Sequence, residues 1–239
     1  MVITDFTSDT EKFSLDGTSS DSLGIYVDYL PPMPMAEQKY TDFNVGEDEI
    51  KTTPDDVFNN ITYQIRFYTF LPENLNDSDI KAFCLNKTTL TLSRFPGYYF
   101  KIRKASLQAV DGTNTSKRID YVLSLVLAPF KYSTDNQQIT LTAGDTISNP
   151  HTRYSKPLFE ITGTGDIKLT VNDVDFTVSG LTSGQTIYID STRHITYSGS
   201  TLLTGKTNGQ YPLLNIGSNT VSWTGTITSV KYNGNWRDL

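Results

Sequence analysis

The chain has 239 residues, 37% of them hydrophobic and 19% charged, with a formal net charge of −6. That is enough apolar material for one large β-domain or two smaller ones, and it excludes bulk disorder. The acidic balance disfavours ordinary nucleic-acid binding, and no apolar run is long enough to cross a bilayer as a helix.

The charge is unevenly spread. Residues 1–56 hold thirteen acids against Lys12, Lys39 and Lys51, whereas residues 57–135 hold ten basic residues against six acids. A charge run is more often a solvated face than a contact. The sharper expectation is that the acidic segment of one copy meets the basic segment of another, head to tail, in the manner that closes rings.

In chain order, polar turns including Asp16-Gly17 precede a strand-like run at 23–27. The start, Met1-Val-Ile-Thr-Asp5, has neither a basic stretch nor an apolar signal core, so the expectation is a protein kept where it is made. Pro31, Pro32 and Pro34 then forbid helix and central strand. Residues 31–56 read as an arm, with Tyr40, Phe43, Val45 and Ile50 loosely alternating as in a projecting hairpin.

A strong strand follows at 60–70, where Ile61, Tyr63, Ile65, Phe67 and Thr69 share one face. Residues 78–86 form the only credible helix, capped by Asp77 or Ser78, with Ile80, Phe83 and Cys84 on one side. The single cysteine excludes an internal disulfide and reads as a buried thiol. Strands are expected at 89–92, 98–104 and 119–127, the last pair joined by a polar connection at 111–116. The strand at 119–127 is apolar on both faces, Leu123, Leu125 and Leu127 against Val122 and Val126, and so central.

A domain boundary falls near Tyr132–Asp135, giving domains 1–133 and 134–239. The segment to Pro157 is a linker or holds one strand at 138–141. β-runs then recur about every ten residues: 158–161, 167–171, 174–178, 186–190, 195–197, 213–214, 219–223 and 227–232. The clearest signal is Ile167, Leu169 and Val171, then Asn172-Asp173, then Val174, Phe176 and Val178, which is a two-residue hairpin. Regular short strands with Gly-rich punctuation mean an antiparallel β-sandwich.

No catalytic set emerges. His151 and His194 lie far apart in polar contexts, and one cysteine cannot complete a zinc-type ligand set. There is no nucleophile elbow or Walker loop, and Gly163-Thr-Gly165 lacks the rest of a dinucleotide fingerprint. Glu47-Asp48-Glu49 and Asp173/Asp175 could imitate a glycosidase couple, but in an arm and a turn they read as solvated acids. Neither an enzyme, a cofactor nor a metal is expected. Trp223, Trp236, Tyr197 and Tyr211 could stack a sugar, although aromatics at strand spacing are more often core. A carbohydrate-binding adhesion module of β-sandwich type is therefore the alternative reading.

Several motifs stand in a recognisable order: Ser22-Leu-Gly-Ile25, Ile80–Leu85, Leu92-Ser93 before Tyr98-Tyr99, and Leu127-Ala-Pro-Phe-Lys-Tyr132. Asp166–Asn172, Ile187–Asp190, Gly209–Leu214, Ile216–Asn219 and Asn235-Trp-Arg237 follow. In this order they resemble the distal tail protein (Dit) family of long-tailed bacteriophages. One departure is Gly46-Glu47-Asp48, where a Gly-Arg-Asp-Gly-like turn is expected.

The resemblance implies a mainly β fold, with an N-terminal ring-forming domain carrying one short helix and a hairpin arm, and a C-terminal galectin-like sandwich. It implies a homohexameric ring at the virion tail tip, made in the host bacterial cytoplasm. That ring would join the tail tube protein to a tail-associated lysin, fibre or receptor-binding protein, pass DNA through its centre, and insert into no membrane. The subunit interface expected from charge pairs Glu47, Asp48, Glu49, Asp55 and Asp56 with Arg94, Lys101, Arg103 and Lys104.

Overall fold

A computed structural model describes residues 11–44, 50–70, 76–113 and 118–239. Two compact units divide it, one running to Lys131 with Leu239 added and the other spanning Tyr132–Asp238.

The strands of the first unit are β1 (Phe13–Leu15), β2 (Thr18–Ser19), β3 (Ile25–Tyr29), β4 (Gln38–Asn44), β5 (Ile50–Phe58) and β6 (Ile61–Phe70). Helix α1 (Asp77–Cys84) follows, then β7 (Thr89–Leu92), β8 (Tyr98–Thr113) and β9 (Arg118–Ser133). Seven of them form one sheet in the order β2-β1-β7-β8-β9-β6-β3, while among the described residues β4 and β5 pair only with each other. β9 is central, as its two apolar faces require, and Tyr121, Leu123, Leu125 and Leu127 point into the core. β6 buries Ile61, Tyr63, Ile65, Phe67 and Thr69 in strict alternation.

Phe13 links three parts of this core: its ring lies 5.8 Å from Phe67 and 5.7 Å from Phe83 of the helix, and Phe67 stacks on Tyr121 at 5.4 Å. The helix starts one residue earlier than the sequence suggests. Its cap is Asn76, whose side chain accepts from the Asp79 amide at 3.0 Å while Asp79 accepts from the Asn76 amide. This reciprocal box satisfies two otherwise orphaned donors. Cys84 is fully buried and burial pushes its thiol up to about 12, so it packs rather than reacts.

Asp16 anchors the start of this sheet. Burial works against its charge, but the amides and hydroxyls of Thr88 and Thr89 outweigh it and hold the carboxyl below its ordinary range.

The second unit holds β10 (Ile139–Leu141), β11 (Thr146–Asn149), β12 (Leu158–Val171), β13 (Val174–Asp190), β14 (Ile195–Ser198) and β15 (Thr201–Leu202). It ends with β16 (Thr207–Gly209), β17 (Gly217–Asn233) and β18 (Arg237–Asp238). Here the structure corrects the expected segmentation. Three pairs of short runs fuse into the long strands β12, β13 and β17, and 213–214 contributes only a bridge from Leu214 to Ser155.

Each long strand serves two groups of neighbours. The first half of β12 pairs with the ends of β13 and β17, next to β10, β14 and β15; its second half pairs with their other ends, next to β11 and β16. Register shifts between Thr162 and Lys168 mark the change. Gly225 sits opposite this corner at φ +102, and a Cβ there would stand 2.5 Å from the Asp166 carbonyl oxygen. Only glycine permits that approach.

Phe159, Ile161, Ile187, Ile189 and Val230 from one half meet Leu169, Val171, Phe176, Val178 and Val221 from the other in a single core. The Asn172-Asp173 hairpin is present, with Val171 opposite Val174 and both turn residues at positive φ, as a tight two-residue loop demands.

Candidate functional site: the arm and its base

Strands β4 and β5 build the arm, and among the described residues no other strand joins them. Tyr40 faces Pro54, Thr41 faces Thr53 and Asp42 faces Thr52. Side chains tie the ladder: Thr41 donates to the Asp55 carboxylate at 2.8 Å, Thr52 to Asp42 at 2.7 Å, and the Gln38 amide to the Asp55 carbonyl at 2.7 Å. These bonds set register, but they bury little, and a lone hairpin gains little from them. Apolar side chains stay in water instead: Met35 is 78% exposed, Tyr40 59% and Val57 52%.

The base of the arm is firmer. Phe58 packs edge-on against Phe130 at 5.5 Å, and the Tyr63 hydroxyl donates to the Pro31 carbonyl at 2.8 Å. A cavity of about 260 Å³ opens there, lined by Met33, Met35, Ala36, Phe95, Phe100 and Lys131 among others. Lys131 lies over the Tyr98 ring at 5.4 Å.

The expected interface residues divide. Glu47, Asp48 and Glu49, with the Gly46 turn, lie outside the described residues, and so does the side chain of Asp56. Asp55 is half-buried and spends its carboxylate on Thr41. Arg94 forms an ion pair with Glu11 of its own chain. Lys101 stands opposite Thr89, and Arg103 and Lys104 are exposed. As consecutive residues on a strand, Arg103 and Lys104 point to opposite sides, so the basic group presents no single face. Lys131, at the cavity, was missed; its only sequence signal is a lysine between two aromatics where a strand ends.

Another arrangement was invisible in sequence. His151 Nδ1 lies 2.8 Å from the Asp238 carboxylate, which also accepts from the Thr152 amide and hydroxyl at 2.7 and 2.8 Å. His151 stacks on Trp236. The carboxylate is occupied in fastening β18 to the 151–152 turn of the second unit. Among the described residues, no group of three His, Cys, Asp or Glu is placed to hold a metal ion, and no helix is long and apolar enough to cross a membrane.

No protein-family model and no curated protein matches the chain. A solved structure does: that of SPP1 Dit (gp 19.1), a paradigm of the hub adsorption apparatus in Gram-positive infecting phages. The two share a TM-score of 0.67 at 12% identity, over 96% of this chain and 99% of that one. The fold is that of a Dit protein. The match runs through both units, so the Dit fold includes the sandwich as well as the helix-bearing sheet. At this identity side-chain chemistry does not carry across, and what the surfaces of this chain do rests on its own residues.

Proposed function

We propose that this chain is a structural hub of a phage tail tip and has no catalytic role. In this reading six copies form a ring that joins the tail tube to the tail-associated or receptor-binding proteins, and DNA passes through the centre. The copies are made in the host cytoplasm and end in the virion tail. The observation that carries the reading is the end-to-end likeness to the SPP1 hub protein.

The arm supports it independently. A hairpin that, among the described residues, pairs with no other strand, exposes Tyr40 and Val57, and sits in the acidic part of the sequence is suited to lie on another copy. Head-to-tail contact of that kind closes into a ring when the rotation between copies is right.

Electron microscopy of the purified chain tests the proposal: closed sixfold rings are expected, and single particles or open fibres would overturn it. Reversing Glu47, Asp48 and Glu49 to lysine is expected to weaken ring assembly most at low salt, where charge attraction is least screened. Unchanged assembly of that variant at low salt removes the charge clasp from the account while leaving the ring to the microscope.

A further inference from the structure

The outer face of the second unit carries a row that its core does not use. The registers set Thr140, Lys231, Glu160, Tyr188, Tyr197 and Leu202 opposite one another in turn, across β10, β17, β12, β13, β14 and β15. Their strand neighbours Phe159, Ile161, Ile187, Ile189 and Val230 are buried, so alternation turns the row outward.

The middle of the row is ordered. Tyr188 and Tyr197 stack half-buried, ring centroids 5.2 Å apart and planes 19° from parallel. Glu160 accepts from Lys231 Nζ at 2.9 Å, from Gln138 Nε2 at 3.0 Å and from the Tyr188 hydroxyl. Lys231 first, then Gln138, hold its carboxyl below the ordinary range. One step along the strands, the Thr162 and Thr186 hydroxyls meet at 2.9 Å and Ser198 donates to the Thr186 carbonyl at 2.7 Å.

We propose that this row binds the pyranose rings of a neutral saccharide. A pyranose offers an apolar C–H face and a rim of hydroxyls that both donate and accept. The tyrosine pair supplies an aromatic surface for the first. The ionised Glu160, Lys231, Gln138 and the threonine hydroxyls supply acceptors and donors for the second. Glu160 and Lys231 cancel in charge, which favours a neutral sugar over an anionic one. The groups are already held by one another, so little side-chain entropy remains to be lost on binding.

The aromatics that suggest sugar stacking in sequence are mostly used elsewhere. Trp236 packs on His151 and Tyr232, Tyr211 lies against Phe176 and His194, and Trp223 packs against the core. Only Tyr197 of those four joins the row, and its partner is Tyr188.

The inference does not depend on ring assembly, and its test reads binding alone. Maltohexaose, cellohexaose, chitohexaose and a linear β-galactan oligosaccharide are titrated into the full chain by calorimetry, with the tyrosine ring resonances followed by NMR. At least one probe is expected to bind and to shift Tyr188 and Tyr197. Tyr188→Ala and Tyr197→Ala should each weaken it about tenfold, the order of one aromatic contact. Glu160→Gln, which keeps the shape, should weaken it as well, and Tyr26→Ala on the first unit should not. Thermal unfolding of each variant separates loss of binding from loss of fold. No shift at these tyrosines with any of the four probes overturns the proposal, as does binding unchanged in the variants. Variants that lose association between copies, with no sugar response in the parent, would make the row a protein-docking face and also overturn it.

Discussion

The arm and the sandwich are both antiparallel β, yet their side chains are spent in opposite ways. β12, β13 and β17 bury Leu169, Val171, Phe176, Val178 and Val221 and leave threonine and charge outside. β4 and β5 are held by Thr41–Asp55 and Thr52–Asp42 and leave Tyr40 and Val57 exposed. The sandwich supplies its own stability, whereas the arm buries too little apolar surface to do the same and, in the proposed ring, would gain it from another copy. A segment of the second kind, attached to a self-sufficient body, suits the self-association proposed above.

The largest effect separating the two regions should come from their apolar side chains. Phe176→Ala in the sandwich core is expected to cost about 3–5 kcal/mol of unfolding free energy. Tyr40→Ala on the arm should change the stability of the isolated chain by less than about 0.5 kcal/mol while reducing self-association. Urea unfolding paired with sedimentation reads both, and a Tyr40 variant as unstable as the Phe176 one would erase the distinction.

Next in size is the corner of the long strands. Gly225→Ala is expected to destabilise the second unit by about 1–3 kcal/mol, because the new methyl group meets the Asp166 carbonyl in a backbone conformation suited to glycine. Stability equal to the parent in a melting experiment would show that the strands can bend without this approach.

The smallest effect is on pH. Asp16 in the first unit and Glu160 in the second both have carboxyls held below their ordinary range, and Lys12, then Ser19, bring Asp21 down to about 2. A lowered folded value stabilises above the unfolded one, near 4, and that contribution is lost as pH falls through the folded value. Stability should therefore decline below about pH 4, and Asp16→Asn should flatten the decline in the first unit while leaving the second unchanged. A decline insensitive to Asp16→Asn would place it elsewhere.

What could be read from the sequence was what local chemistry decides. The Asn172-Asp173 hairpin was legible because two residues tolerant of positive φ separate alternating runs. The central position of β9 followed from Val122 and Val126 facing away from Leu123 and Leu125. The continuity of β12 was not legible, since Gly163-Thr-Gly165 has the composition of a turn. What makes it a corner inside a strand is Gly225, far along the chain. The cap at Asn76 was displaced by one residue because Asp77 and Ser78 can cap equally well in isolation. The Lys231–Glu160–Tyr188–Tyr197 row and the His151–Asp238 pair exist only once register is fixed. The charge split pointed to the arm, but it could not show that Arg94 is already paired with Glu11; that Arg103 and Lys104 face opposite ways was already implicit in the strand expected at 98–104.

The mass of the purified chain in solution, by light scattering at low salt and micromolar concentration, tests the central claim most directly. The account predicts a particle about six times the 26.7 kDa of one chain. A monomer that stays monomeric as concentration rises would contradict it.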